Sequence, residues 1–427
     1  MTPEVRDRID QIRQGIVPEG YKNTKFGILP DNWSVRTIAE CLERVERPVD
    51  VQANKMYTQI GIRSHGKGLF YKEPVTGDSL GNKAVFWIEP NCFILNIVFA
   101  WEQAIGKTTQ AEVGMIGSHR FPMYRPTKGN LDIDYLIFYL LTKRGTDILE
   151  AASPGGAGRN RTLGQDRFMK SRVVLPPLDE QKKITAILAT QDKAIELQTC
   201  KIDELKRFKK GCMEKMFPKK GQKVPEKRFP GFAGDWEQRK LGELYVPLTE
   251  RNTDLLPYTK TLSVATMTFK SEGNGAADAS LANYKRLRIG DIAFEGHTSK
   301  DFKYGRFVLN DVGDGIMSPR FSALRPTGKM PTSFWKYYIH YEPIMKNVLV
   351  NSTKAGTMMN ELVVDEFLQG SILVPTIAEQ TRIGTIMSAL DHLITLHQRK
   401  LEEMKKQKKA LMQLLLTGIV RTKGDEQ

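Results

Sequence analysis

Features of a secreted, membrane-bound or metal-binding protein are missing from this sequence. The 427 residues include only four cysteines, Cys41, Cys92, Cys200 and Cys212, and no C-x-x-C pair. Cysteines scattered in this way fit neither a zinc site nor a disulfide framework, so a reducing cytoplasm is the simplest setting. The first residues, MTPEVRDRIDQIRQG, lack the apolar core of a signal peptide, and no apolar run is long enough to span a bilayer. We therefore expect a soluble cytoplasmic protein that does not enter a membrane.

Catalytic signatures are missing as well. The sequence has no G-x-x-x-x-G-K-[ST] phosphate loop and no N-P-P-[YF] motif of an adenine methyltransferase, since Asn96-Ile97-Val98-Phe99 lacks the prolines. The Gly155–Gly158 run could cradle phosphate or form a flexible loop. Six scattered histidines form no Ser/His/Asp or metal constellation. We predict a chain that catalyses nothing and itself binds no cofactor or metal.

Positive charge is abundant. The chain has 64 Lys and Arg against 49 Asp and Glu, a net charge of +15 and a pI near 9.4. Such a surface attracts polyanions, and nucleic acid is favoured over an acidic membrane. Part of the excess is local, because residues 201–228 hold 11 Lys and Arg against 4 Asp and Glu. That run is either a solvated helix end with a linker or a patch that contacts phosphates.

One long stretch of the chain occurs twice. The segment that starts LPPLDEQKKITAIL at Leu175 returns as VPTIAEQTRIGTIM at Val374. Pairing Gln181 with Gln380 also pairs Asp192 with Asp391, at a constant offset of 199 residues. Each copy opens with proline and acidic residues, which favours the start of a helix. One offset over about forty residues indicates duplication.

Apolar residues recur in steps of three, four and seven along both copies. Narrow stripes on long charged helices are typical of a two-stranded coiled coil, although each helix could instead lie on its own core. Gln198 and His397 fall on the stripes, where a polar residue lowers stability but fixes register. The predicted interface residues are Ile184, Leu188, Ile195, Ile202, Leu205, Ile383, Met387, Leu390, Ile394, Leu401 and Met404.

A globular unit precedes each long helix. Trp33 and Trp236 follow Asn32 and Asp235, and each tryptophan begins a series of short apolar runs separated by Gly, Asn and Asp, which predicts strands and turns. An aromatic helix, a polar loop and a last strand then lead into the long helix. The ends of the two units match and their middles differ. We interpret them as one scaffold that carries two different readers.

This order of D/N-W, variable region, L-P-P-L-x-E-Q-x-x-I and helix, repeated once, resembles the specificity subunit of Type I restriction-modification systems over almost the full length. Val374-Pro375-Thr376 departs from the double proline. The resemblance implies an α/β (α+β) fold in which two mixed α/β target recognition domains are separated by two long helices, packed as an antiparallel coiled coil with a pseudo-twofold internal repeat. The implied boundaries are 1–27 (N-terminal helix and connector), 28–175 (first recognition domain), 176–217 (first spacer helix), 218–228 (basic linker), 229–374 (second recognition domain), 375–417 (second spacer helix) and 418–427 (tail).

The resemblance also implies partners. Each recognition domain would read one half of a split double-stranded DNA sequence, and the helices would set the gap and offer surfaces to two modification subunits. Restriction subunits, which combine motor and nuclease, would complete the complex. S-adenosylmethionine, ATP and Mg²⁺ are expected on those partners. From the course of the helices we also expect the N-terminal segment and the tail after Leu416 to meet and complete the frame, since the first long helix continues into the second unit whereas the last one ends.

Candidate DNA contacts are the polar and basic residues of predicted loops, because base reading and phosphate contact need such side chains on exposed segments. For each of them the alternative is a solvated turn without contact to a base. Arg120 and Arg320, which recur beside Phe, point to the scaffold or the phosphate backbone instead. The candidates are Arg63, Ser64, His65, Lys67, Lys107, Thr108, Gln110, Arg120, Arg159, Asn160, Arg161, Lys270, His297, Ser299, Lys300, Lys303, Arg320, Lys354 and Asn360.

Two other functions remain open from the residues alone. One is a tandem-domain nuclease, and the other is a stand-alone architectural DNA-binding protein with salt-sensitive, sequence-indifferent binding. The duplicated helices argue against both, since they provide a pseudo-twofold frame suited to two copies of one partner.

Overall fold

The computed structural model describes residues 3–127, 129–155, 161–270, 272, 278–357 and 359–422. The chain divides into two compact units: unit 1 contains the residues up to Leu197 and those from Leu401 onward, and unit 2 contains Gln198–Lys400. Both boundaries fall inside long helices, so each unit includes a part of both.

Two helices of 39 residues dominate the described chain, and the other helices are short. The α-helices are α1 (Pro3–Arg13), α2 (Gly77–Leu80), α3 (Ile133–Leu140), α4 (Lys143–Ala152), α5 (Gln165–Lys170), α6 (Leu178–Met216), α7 (Leu241–Leu244), α8 (Thr332–Tyr338), α9 (Glu342–Ser352), α10 (Val364–Gln369) and α11 (Ile377–Leu415). Within the described residues, no helix is both long enough and apolar enough to cross a membrane.

Short antiparallel strands form the rest of both units. Unit 1 contains β1 (Tyr21–Thr24), β2 (Gly27–Pro30), β3 (Ser34–Thr37), β4 (Leu42–Val45), β5 (Met56–Tyr57), β6 (Ile60–Ile62), β7 (Leu69–Tyr71), β8 (Val75–Thr76), β9 (Val85–Trp87), β10 (Phe93–Leu95), β11 (Ile105–Lys107), β12 (Ile116–Ser118), β13 (Met123–Pro126) and β14 (Arg172–Leu175). Unit 2 contains β15 (Glu237–Lys240), β16 (Tyr245–Pro247), β17 (Leu262–Ser263), β18 (Thr268–Phe269), β19 (Lys285–Leu287), β20 (Ile292–Glu295), β21 (Arg306–Leu309), β22 (Gly315–Met317), β23 (Ala323–Pro326), β24 (Thr353–Lys354), β25 (Glu361–Leu362) and β26 (Ser371–Val374).

The strand order repeats between the units. The four-stranded sheet of unit 1 has the order β11-β10-β13-β4, and that of unit 2 has the order β21-β20-β23-β16. The two-stranded ladders β3–β14 and β9–β12 likewise correspond to β15–β26 and β19–β22. The expected α+β class and internal repeat are therefore confirmed, and the duplication extends through the strands whose sequences differ.

Aromatic side chains fill both cores. In unit 1, Trp33, Phe93 and Phe168 are buried with Ile184 and Leu188 of α6 and with Leu415 at the end of α11 and the following Leu416. The core of unit 2 similarly combines aromatics with both long helices, through Trp236, Trp335, Phe367, Met216, Phe217, Ile383 and Met387. The start of one long helix thus lies beside the end of the other in each unit, which is the predicted antiparallel arrangement.

Polar contacts join the two long helices in a symmetric pattern. Lys408 Nζ lies 2.5 Å from Asp192 Oδ1 in unit 1, and Lys209 Nζ lies 2.6 Å from Asp391 Oδ1 in unit 2. Gln198 Nε2 lies 2.9 Å from His397 Nδ1 and also donates to the His397 carbonyl at 2.8 Å. Since the partners repeat at the offset of 199 residues, these contacts follow a pseudo-twofold pattern.

The predicted stripe residues are all buried or half-buried. Ile184, Leu188, Ile383 and Met387 also belong to the cores of their units. The two interpretations of the stripes are therefore both realised: the helices pair with each other, and the start of each one lies on a globular core.

The chain before Trp33 and the tail meet, as expected. The Tyr21 hydroxyl donates to the Gly418 carbonyl at 2.9 Å. Arg421 donates to both carboxylate oxygens of the buried Glu180, at 2.7 and 2.8 Å. In unit 2, Arg228 makes the same bidentate pair with Glu379, at 2.8 and 2.6 Å. Each long helix therefore begins at a glutamate held by an arginine that follows the other helix.

Candidate nucleic-acid interface

The hairpin loop between β10 and β11 contacts two of the predicted segments in unit 1. The backbone N–H groups of His65 and Gly66 donate to the carbonyls of Glu102 and Gln103, at 2.8 and 2.9 Å. The Arg161 guanidinium lies 5.3 Å from the ring centre of Trp101. The segments that follow β6 and precede α5 are thus fixed to one loop, residues 96–104.

The turn at residues 65 and 66 depends on glycine. Gly66 has a φ of +63°, and a Cβ there would lie 2.7 Å from Leu141 Cδ2. Both the left-handed backbone and the contact exclude a larger residue without a shift. Because hydrogen bonds to residues 102 and 103 fix the backbone of this turn, the exposed side chains of His65 and Lys67 project from a fixed backbone.

The loop before β13 joins the same surface. The Arg120 carbonyl accepts a hydrogen bond from the backbone N–H of Ile97 at 3.0 Å, and the Arg120 side chain is exposed. Arg63 is also exposed and has its guanidinium 5.1 Å from the ring centre of Phe70, whereas Ser64 donates to Glu102 at 2.9 Å. This combination of exposed cations and a fixed backbone is suited to a polyanion.

Lys107, Thr108 and Gln110 do not join that surface. Lys107 Nζ lies 2.6 Å from Asp134 Oδ2, in the first turn of α3. Gly66 lies beside Leu141, just after the opposite end of the same helix. Gln110 is exposed in a separate turn. The expectation that Thr108 lies on an exposed loop is wrong. Its side chain is fully buried and its hydroxyl donates to the Glu89 carbonyl at 2.6 Å, which satisfies polar groups inside the fold.

In unit 2 four of the predicted residues lie on the corresponding hairpin loop itself. His297, Ser299, Lys300 and Lys303 are all exposed between β20 and β21. Asn360 anchors this loop, because its backbone N–H donates to the Gly296 carbonyl at 2.9 Å and its side chain to the Lys303 carbonyl at 3.3 Å. The segment before the short helix therefore docks on the hairpin loop in both units.

A cleft of about 440 Å³ opens beside this loop. Its wall includes the predicted Lys270, His297 and Ser299, together with Glu295 and Arg306. The last two residues are not predicted as site residues from the sequence, because they end one strand and begin the next. Only the register, in which Glu295 faces Arg306, identifies them as neighbours.

The remaining candidates are spread more widely. Arg320 is exposed and has its guanidinium 4.9 Å from the ring centre of Phe321. Lys354 pairs with Glu361 across the small β24–β25 ladder at 3.6 Å. Arg159 and Asn160 lie outside the described residues.

The repeated Arg-Pro-Thr motif belongs to the scaffold. Arg125 pairs with Glu89 at 3.4 Å in unit 1. Arg325 pairs with the buried Asp291 at 2.8 Å and with Glu250 at 2.5 Å in unit 2. Hydrogen bonds from Arg288 and Arg325 lower the pKa of Glu250 to about 2. These arginines are therefore paired with carboxylates of the scaffold.

The described residues contain no group of three metal-ligating side chains.

Comparisons with known proteins agree with this architecture. Residues 30–207 match the model of the type I restriction modification DNA specificity domain. A relative from Methanocaldococcus jannaschii, named as a candidate MjaX type I restriction enzyme specificity subunit, is 25% identical over 95% of this chain and 97% of its own length. The MjaVIII type I restriction enzyme specificity subunit of the same organism is 23% identical over 96% of this chain and 99% of its own length.

Solved structures share the fold. A chain from work on complex assembly and conformational transition of the type I R-M system is 17% identical, with a TM-score of 0.57 over 92% of this chain and 99% of that one. The S subunit of a type I restriction-modification system from M. genitalium is 12% identical, with a TM-score of 0.51 over 90% of this chain and 96% of that one.

Proposed function

Because the chain resembles the specificity subunits of type I restriction-modification systems over almost its full length, we propose that it is one of them and that each unit reads one half of a split double-stranded DNA sequence. Specificity subunits are the non-catalytic components of these systems. The chain accordingly supplies recognition, and the chemistry takes place on its partners.

One observation carries the proposal: candidate residues gather at the same hairpin loop in both units, on sheets of the same strand order. In unit 1 they lie on segments that contact the loop, and in unit 2 they lie on the loop itself. The loop of unit 1 presents Trp101 with Arg161 above it, and the loop of unit 2 presents His297, Ser299 and Lys300. The two surfaces share a backbone arrangement and differ in their side chains, so they are suited to two different base sequences.

The long helices support docking of modification subunits, which we propose to be two in number. Leu197 of α6 is 59% exposed, and its repeat partner Leu396 of α11 is 45% exposed. Exposed leucines at equivalent positions favour two copies of one partner, since a twofold frame offers the same contact twice. Restriction subunits would join this assembly, and S-adenosylmethionine, ATP and Mg²⁺ would be bound by the partners.

A map of methylated adenines tests the proposal. Cells that produce this chain with its modification subunit are compared with cells that lack only this chain. We expect one split motif to disappear without the chain. If no split motif depends on it, the proposal is wrong.

Exchange of one unit at a time shows which unit reads which half of the DNA motif. Replacing residues 30–175 by the corresponding segment of another specificity subunit should change one half of the motif and leave the other half and the gap intact. The matched exchange of residues 236–374 should change only the other half. A change in both halves from either exchange would contradict independent readers.

A further inference from the structure

Glu295 and Arg306 form an unusual pair in the cleft of unit 2. They face each other across the antiparallel strands β20 and β21, so their side chains lie on the same face of the sheet. Both line the cleft of about 440 Å³. Within the described residues these opposite charges do not form an ion pair, and each is directed to other partners.

The contacts of Glu295 leave one carboxylate oxygen available. Oε1 accepts the backbone N–H of His297 at 3.2 Å and lies 2.5 Å from His297 Nδ1. For Oε2, the described part of the chain provides no hydrogen-bond donor. The side chain is only 7% exposed. An available acceptor at the wall of a cleft is poised for an incoming donor.

Capping of the loop does not explain the negative charge. In unit 1, Asn96 occupies the corresponding strand end, and its Oδ1 accepts the backbone N–H of Val98 at 3.0 Å. A neutral amide therefore performs the same capping at the start of the corresponding loop. The carboxylate of Glu295 adds a charge that this backbone capping does not need, and only one of its two oxygens contacts His297.

Arg306 has donors to spare. Its Nε is buried and has no hydrogen-bond partner among the described residues. One Nη donates to the Ala265 carbonyl at 3.2 Å, and the guanidinium lies 4.9 Å from the ring centre of Phe302. The aromatic ring and the carbonyl fix the guanidinium plane, and the described residues provide no hydrogen-bond acceptor for its other Nη.

On the basis of the proposed function, we propose that Glu295 and Arg306 together read one C·G base pair in the half-sequence of unit 2. A carboxylate is repelled by phosphates, so in a DNA-facing cleft it is suited to a base amino group. Cytosine N4 is the amino group that Glu accepts from, and guanine O6 and N7 are the acceptors that Arg prefers. The two edges lie side by side in one C·G pair, as the two side chains do across the strands.

The test uses the complete modification complex and the methylated-adenine map. Glu295→Asn copies the residue of unit 1, so it keeps the cap and removes the charge. Arg306→Ala removes the guanidinium. Each variant should reduce discrimination at the same C·G position by roughly ten- to a hundredfold, given the usual value of one base contact. The other half of the motif should remain unchanged.

Lys300→Gln serves as the comparison on the same loop. Loss of an exposed lysine should weaken methylation of all sites alike, because a phosphate contact carries no sequence information. Thermal unfolding of every variant checks that unit 2 remains folded. Glu295→Gln, which retains the length of the side chain, replaces Glu295→Asn if that variant is unstable.

Three results would overturn the inference. If a variant weakens methylation of all sites alike and relaxes discrimination at no base pair, Glu295 is only a loop cap. Relaxation at an A·T position, or at different positions for Glu295 and Arg306, would contradict the shared C·G pair. If the unmodified chain itself produces no split motif, the proposed function is wrong as well. The unmodified chain therefore distinguishes a failure of the proposed function from a failure of the C·G assignment alone.

Discussion

A buried glutamate begins each long helix and is held by a distant arginine. The Glu379 side chain is 1% exposed and its partner Arg228 is 12% exposed. The environments differ at the tryptophan: Trp33 Nε1 donates to Glu180 at 3.0 Å, whereas the buried Trp236 Nε1 has no partner among the described residues. The ion pair between glutamate and arginine is therefore the feature common to both helix starts.

Removal of one member of such a pair should be costly. Glu379→Gln leaves the Arg228 guanidinium buried without its counter-charge, so we expect a loss of about 3–5 kcal/mol in the free energy of unfolding. The control Glu402→Gln, on the exposed Lys405 pair, should change it by less than about 0.5 kcal/mol. Urea unfolding measures both values. Equal effects of the two substitutions would show that the buried pair contributes nothing special.

The Glu250 carboxylate predicts a dependence of stability on pH. Arg288 and Arg325 lower its pKa to about 2 in the folded chain, against an ordinary value of 4.5. Folding therefore favours the ionised form. The resulting stabilisation is complete above about pH 4.5 and is lost as the pH falls towards 2.

Glu250→Gln should consequently lower stability near neutral pH and flatten its change between pH 4.5 and 2. Denaturant midpoints measured at a series of pH values test this expectation. The exposed Glu361→Gln variant is the control and should retain the slope of the unmodified chain. An unchanged slope in Glu250→Gln would mean that other carboxylates determine the acid response.

Individual site residues show where sequence reasoning succeeds and where it ends. The loops near residues 65 and 297 were predicted from turn composition, because Gly, His and Ser favour exposed turns. The burial of Thr108 could not be read in this way, since its polar side chain is satisfied by carbonyls distant in sequence. The Glu295–Arg306 pair requires the strand register, which short apolar runs do not define.

At the level of elements, α6 and α11 are both continuous over 39 residues, or roughly 58 Å at 1.5 Å per residue. Their period, start signals and duplication were all visible in the sequence, because long helices depend on local spacing. Strand pairing within the units depends on contacts distant along the chain. That difference explains why the helix pair could be predicted closely and the sheet order could not.

Both helices pass from one unit to the other, so their length is expected to set the gap in the DNA target. Insertion of about one turn at equivalent points of α6 and α11 should lengthen the tolerated gap by roughly one or two base pairs. The methylated-adenine map reads the result directly. Insertion into α6 alone is the control and should impair assembly, since the paired helices would no longer match. A longer pair with an unchanged gap, or an altered half-sequence, would contradict the spacer function.

At the level of the whole molecule, no single cut separates the two units. The linker after α6 is exposed at Lys219 and Gly221, whereas Phe217 is buried in unit 2. A cut there would produce two fragments, each of which contributes side chains to both cores.

A protease site placed at Gly221 should therefore leave a stable particle. After cleavage we expect two bands under denaturing conditions and one species, of unchanged mass, in size-exclusion chromatography with light scattering. The same protease acting on the unmodified chain is the control. Separate elution of the fragments would show that the helix contacts are too weak to hold the units together.

The division of each core between distant segments also bears on how the chain is made. Unit 2 has all its residues once Lys400 has been synthesised, but the core of unit 1 still lacks Leu415, Leu416 and the Arg421 partner of Glu180. Domains usually fold in the order in which they leave the ribosome. Here the unit that is translated first is completed last, and until then the apolar start of α6 remains without its covering helix.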